Sequence, residues 1–137
     1  MTNDEIDKLE AGPELDALVA EKVMQRRWMI RNGACYADAT FMNAPDCWLE
    51  FKPSTDIAAA WEVVEKLKDL NQDVASFDFD LIYSLREGSG EPSGPRARRV
   101  PEDQRWFAQF GDAETGSATA ATAPFSICRA ALKAANK

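Results

Sequence analysis

Histidine is absent from all 137 residues of this chain. No Ser-His or Cys-His nucleophilic pair can form, and no imidazole is present to ligate a metal or to shuttle protons near neutral pH. Any catalysis would fall to carboxylates, Lys, Tyr or Cys. Cysteine is scarce as well: Cys35, Cys47 and Cys128 include no C-x-x-C pair. An odd count at such spacing argues against a disulfide framework or a zinc knuckle and reads as small buried thiols. Long apolar runs are missing, so no segment approaches the roughly 18 to 20 apolar residues of a membrane helix. The acidic start Asn3-Asp4-Glu5-Ile6-Asp7 is the reverse of a signal peptide's basic head. No P-loop, strand-linked dinucleotide fingerprint, nucleophile elbow or EF-hand spacing occurs.

What is present is acid and apolar bulk. The net charge of −7 and a pI near 4.6 speak against bulk DNA or RNA binding, which needs a basic field. With 45% hydrophobic residues, seven Phe and four Trp, the chain can bury one proper core, so residues 1–137 are expected to form a single domain. Charge is uneven along it. The first 25 residues carry seven acids against Lys8 and Lys22, whereas Arg26, Arg27 and Arg31 form one basic knot and Arg96, Arg98 and Arg99 another.

Periodicity predicts three helices. After a polar lead, Gly12-Pro13 is a break and Leu15, Leu18, Val19 and Val23 share a face. The clearest helix is the run Ser54 to Leu67, ending near Leu70-Asn71: Ser54 is the expected cap, Asp56 suits the first turn, and Ile57, Ala60, Trp61, Val64 and Leu67 make the buried stripe. Pro124 is expected at the first position of the last helix, with Phe125, Cys128, Leu132 and Ala135 on one face. Between them, alternation predicts a strand over residues 74–83, where Phe77, Phe79 and Leu81 oppose Asp78 and Asp80, and another over Arg105 to Phe110. A hairpin is expected from Cys35–Phe41 and Asp46–Phe51 about an Asn43-Ala44-Pro45-Asp46 turn. Residues 87–103, rich in Gly, Ser, Pro and Arg, read as a long flexible loop, and Gly111 to Thr122 as a second loop of small residues. The order implies an α+β domain with helices packed on an antiparallel sheet.

Three stretches, Glu14 to Met24, Ser54 to Leu67 and Thr122 to Leu132, resemble the small bacteriophage proteins grouped as the phage ABA sandwich domain. The resemblance covers roughly residues 1–25, 54–83 and 105–134. It implies a compact α/β/α sandwich with a mainly antiparallel sheet and about three helices. It also implies a phage accessory protein at work in the host bacterial cytoplasm. The aromatic stretch 26–52 and the Arg-rich loop are where members of such a family are expected to differ.

A nucleotide-like ligand asks for aromatic planes, Arg forks or helix N-termini, and hydroxyls. Candidates for those roles are Arg26, Arg27, Trp28 and Arg31; Ser54 and Thr55; and Arg96, Arg98, Arg99, Arg105 and Trp106. The bland readings are core or interface tryptophans, solvated or paired arginines, and ordinary capping hydroxyls. No catalytic residue, metal ligand or cofactor is expected. By analogy with phage sponges, the leading expectation is a homo-oligomeric, non-catalytic binder of a cyclic nucleotide or cyclic ADP-ribose type of signal. The alternatives are a protein-interaction or assembly module without a small ligand and, last, a metal-dependent phosphodiesterase or nuclease. That last would use Asp78 and Asp80, which share one side of a strand.

Overall fold

The computed structural model describes residues 2–38, 48–71, 78–84, 100–111 and 114–136. Along the chain these form α1 (Asn3–Asp7), α2 (Pro13–Lys22), β1 (Trp28–Arg31), β2 (Ala34–Asp38), β3 (Trp48–Glu50), α3 (Ile57–Leu70), β4 (Phe79–Tyr83), β5 (Trp106–Phe110), β6 (Gly116–Ala120) and α4 (Ala123–Ala135). The class is α+β, and every described strand pairing is antiparallel. The strands divide into two sheets, β1-β2-β3 and β4-β5-β6.

The N-terminal half is built on local signals. The Thr2 hydroxyl accepts the Glu5 N–H at 3.2 Å while the Glu5 carboxylate accepts the Thr2 N–H at 3.1 Å, a reciprocal cap that holds α1 and buries Ile6. The polar lead therefore contains a short helix that composition alone does not announce. β1 and β2 are joined by Asn32-Gly33, both at positive φ (53° and 75°), the two-residue turn whose twist matches that of the strands. The expected hairpin is present as β2 paired with β3, through Tyr36↔Glu50, Ala37↔Leu49 and Asp38↔Trp48. Its turn falls in residues 39–47, outside the described residues.

α3 departs from expectation at its start and on one flank. Asp56 is the N-cap, its Oδ1 accepting the Ala58 N–H at 3.2 Å. Ser54 lies fully buried instead, where its Oγ accepts the Gly12 N–H at 3.0 Å and its own N–H donates to Asp16 Oδ1 at 2.8 Å. Ser54 thus ties the α2 start to the α3 approach. Ala60, Val63, Val64 and Leu67 form the buried stripe, whereas Trp61 is 46% exposed and Ile57 is exposed beside it. The helix is rotated so that Val63 is fully buried while α3 packs on α4, and among the described residues Trp61 has one ring contact, a T-shaped meeting with Phe79 at 5.6 Å between centroids.

In the second sheet Phe79 and Leu81 of β4 turn inward and Asp80 and Ile82 outward, as alternation predicts; Phe77 lies outside the described residues. The expected small-residue loop is in fact β6. Its composition suits a close approach: a β-carbon on Gly116 would stand 2.5 Å from the Ala130 carbonyl oxygen of α4. On α4, Arg129 Nη1 donates to the Thr119 carbonyl at 3.0 Å and Lys133 Nζ to the Ser117 carbonyl at 3.0 Å. Four helical residues and two strand residues both rise about 6 to 7 Å, so the two cations match alternate carbonyls on the free edge of the sheet. Arg129 also forks onto the Leu9 carbonyl, and Lys133 pairs with Asp7 at 2.7 Å, fastening the α1 segment to α4. Of the expected flexible loop, residues 87–99 lie outside the described residues; in its last part Val100 is buried and Glu102–Gln104 form a 3-10 turn.

Packing runs from the first sheet through α2 to α4 and on to the second sheet, with α3 also against α4. One core joins Leu15, Val19, Ala37, Val63, Phe110 and Ile127. Cys35 and Cys128 are buried free thiols. Burial first, then the charge of Asp16, pushes the Cys35 thiol up to about 11 and Cys128 upward too, which keeps both protonated and inert.

Candidate functional site

Residues directly opposite one another in an antiparallel pair share a face, so the register of the first sheet sorts its side chains. Trp28, Ala37 and Leu49 form one row, with Ile30 and Cys35 beside it. Cys35 and Ala37 are sealed there by α2. The opposite face carries Met29, Arg31, Tyr36, Asp38, Trp48 and Glu50. Met29, Arg31, Asn32, Tyr36 and Trp48 there line a cleft of about 310 Å³.

The polar groups of this face are unequal. Arg27 Nη2 lies 2.6 Å and Nε 2.8 Å from Asp38 Oδ2, and the guanidinium carbon stands 5.5 Å from the Trp48 ring centroid. Asp38 is nearly buried while Arg27 is mostly exposed. The structural effect of the pair is to hold a cation against one side of the indole. Glu50 Oε1 is 3.6 Å from Lys52 Nζ. Arg31 is exposed and makes no hydrogen bond or ion pair among the described residues. The cleft therefore offers one uncommitted guanidinium, on β1, and two half-buried aromatic rings, Tyr36 on the central strand and Trp48 on β3.

The other sequence candidates are dispersed. Arg26, half-buried in the α2–β1 connection, donates its backbone N–H to the Ala20 carbonyl. Trp28 points to the α2 side of the sheet, away from the cleft. Ser54 is sealed in the Gly12–Asp16 network, and the Thr55 hydroxyl faces its own turn, 3.4 Å from the Lys52 carbonyl. Arg105 and Trp106 belong to the second sheet, where Arg105 Nε donates to the Val100 carbonyl at 3.3 Å and Trp106 meets Tyr83 at 5.0 Å. Arg96, Arg98 and Arg99 lie outside the described residues. Asp78 and Asp80 are exposed, and no group of three or more His, Cys, Asp or Glu side chains converges among the described residues.

Tyr36 and Trp48 are the site residues that sequence reasoning missed. Both were visible as aromatics in the 26–52 stretch, but the strand parity that sends them outward depends on which residues α2 covers. Two larger depressions have less fitting chemistry. One, along Lys8 to Glu14 and Ile30, has no aromatic ring. In the other, Arg129 and Lys133 are already engaged by backbone carbonyls and Asp7.

The family model of the phage ABA sandwich domain matches residues 17–132. The chain belongs to the phage ABA sandwich domain family. This family member also resembles the 2.0 Å crystal structure of a phage protein from Bacillus cereus ATCC 14579, with a TM-score of 0.54 and 19% identity over 93% of this chain and 94% of that one. At that identity the likeness concerns the fold alone. No curated protein matches the chain. Among the described residues of this phage ABA sandwich protein, no helix is long and apolar enough to cross a membrane.

Proposed function

We propose that this phage protein captures a nucleotide-derived immune signal, of the cyclic nucleotide or cyclic ADP-ribose type, in the host bacterial cytoplasm and holds it unaltered on the outer face of the β1-β2-β3 sheet. The observation that carries this reading is that one cleft is lined by the uncommitted Arg31 and by the rings of Tyr36 and Trp48. Aromatic faces accept a base, a guanidinium grips a phosphate oxygen pair, and about 310 Å³ is within the usual range for a small-ligand pocket. Capture is proposed rather than turnover because the five lining side chains include no carboxylate, thiol or amine, and the Tyr36 phenol is the one group among them able to act as base or nucleophile. No cofactor enters this proposal.

Calorimetry against a panel of such signals, followed by heat release and chromatography of the bound compound, tests it. Intact ligand should be recovered, and Arg31→Gln should weaken binding roughly tenfold to a hundredfold, the usual effect of losing a charge-assisted contact. A cleaved product, or the absence of binding across the panel, overturns the proposal.

A second reading, a homo-oligomeric or protein-interaction module, is favoured by a different observation on the reverse face of the same sheet. Trp28, Ile30 and Leu49 are 40%, 45% and 50% exposed there. Light scattering and pull-down with Ile30→Lys decide it: a monomer with no partner sinks this reading and leaves the cleft untouched.

A further inference from the structure

Resting on the nucleotide-binding reading of the cleft, the geometry points to a ligand class within it: a singly charged phosphodiester, in preference to a pyrophosphate, a terminal phosphate or a polyphosphate. The argument is a count of charges on one face. Arg27 is neutralised by Asp38 through two contacts under 3 Å, and Glu50 stands with Lys52. Among the described residues of this face, Arg31 alone is left to meet an anion.

A ligand with one negative charge would be matched by Arg31. A second charge would find no free cation among the described residues of this face, since Arg27 and Lys52 are held by Asp38 and Glu50. Glu50 is directly across from Tyr36, and Asp38 directly across from Trp48. Each extra phosphate charge then adds desolvation without a compensating contact. The whole chain works in the same direction, since its net charge of −7 raises the potential against polyanions at long range. Asp38 therefore acts as a specificity-determining residue by withdrawing Arg27 from phosphate binding.

Four adenine compounds that differ in their anion separate this inference from the reading beneath it. Isothermal titration of the full chain with 3′,5′-cyclic AMP, AMP, cyclic ADP-ribose and ATP should give cyclic AMP the tightest binding, by about tenfold or more over each of the others. Asp38→Asn, which frees Arg27, should narrow that gap severalfold. Glu50→Gln changes an exposed residue without disturbing the core, and should narrow it too. If the four bind and AMP, cyclic ADP-ribose or ATP equals or exceeds cyclic AMP, the charge selection is wrong while the nucleotide site stands. An unchanged ratio in both variants overturns it equally. If none of the four binds, both the inference and the reading beneath it fall.

Discussion

Gly116 and Ala130 approach so closely that any side chain on the first would collide with the backbone of the second. A β-carbon there would also lie 2.7 Å from the Ala134 nitrogen and 2.9 Å from its β-carbon. Neither the β6 strand nor the α4 helix can step aside without opening the core. Gly116→Ala should therefore destabilise the fold by about 1 to 3 kcal/mol, the range for overpacking, despite the better strand entropy of alanine. Chemical denaturation measures it, and an unchanged midpoint would mean that β6 and α4 lie further apart.

Trp61→Ala should cost about 1 kcal/mol, well short of the 3 to 5 kcal/mol for truncating a buried large aromatic. The ring is 46% exposed and its described aromatic contact is the edge-on meeting with Phe79. Val63→Ala, at a fully buried site on the same helix, should cost more. Paired thermal melts compare them, and the reverse ranking would overturn the observed rotation of α3.

Asp16 supplies a pH signature. Burial raises its pKa above the ordinary 3.8, against the opposing pull of the Ser54 N–H and hydroxyl and of Lys52. A raised folded-state pKa gives stability that is complete below the unfolded value and is lost as pH climbs through the folded one. Asp16→Asn keeps an acceptor for the Ser54 N–H and removes that loss. The stability of the variant relative to the parent should therefore rise from acid toward neutral pH. A difference that is flat or falling with pH would show that hydrogen bonding outweighs burial at this carboxylate.

Arg129→Lys should be destabilising by about 1.5 to 3 kcal/mol, because an ammonium cannot make both the fork on the Leu9 carbonyl and the contact with Thr119. It also leaves the Phe125 ring, over which the guanidinium carbon sits at 3.9 Å. Melting of the variant, with hydrogen exchange at Ile6 and Leu9, checks whether the N-terminal segment loosens first. A change of under about 0.5 kcal/mol would reduce this contact to a surface decoration.

Much of this fold is legible from period alone. α2, α3 and α4 and the alternation of β4 follow from residue spacing, and α3 ends at Leu70, next to the expected boundary. What escapes the sequence is decided at long range. Ser54, Thr55 and Asp56 can all cap a helix; Ser54 is drawn away by Gly12 and Asp16, 42 and 38 positions distant. The apolar stripe of α3 is wide enough for two orientations, and only docking on α4 selects Val63 over Trp61. β6 hides because Gly, Ser, Ala and Thr resemble loop composition until α4 lies against them. The Asn32-Gly33 turn was readable, but β1 is four residues long and ends in Arg31, which obscures its strand character. The site was half legible for the same reason: Arg31 is in the expected basic knot, whereas the aromatic partners depend on parity.

Alternate residues of β2 have separate duties: Cys35 and Ala37 point into the core, and Tyr36 and Asp38 toward the cleft. Mutations can therefore accumulate on the outward positions while the inward ones keep the domain folded. Under the proposed function, a virus facing a host that alters its alarm chemistry would have, in this short hairpin, a surface on which recognition can be rewritten without first finding a new scaffold.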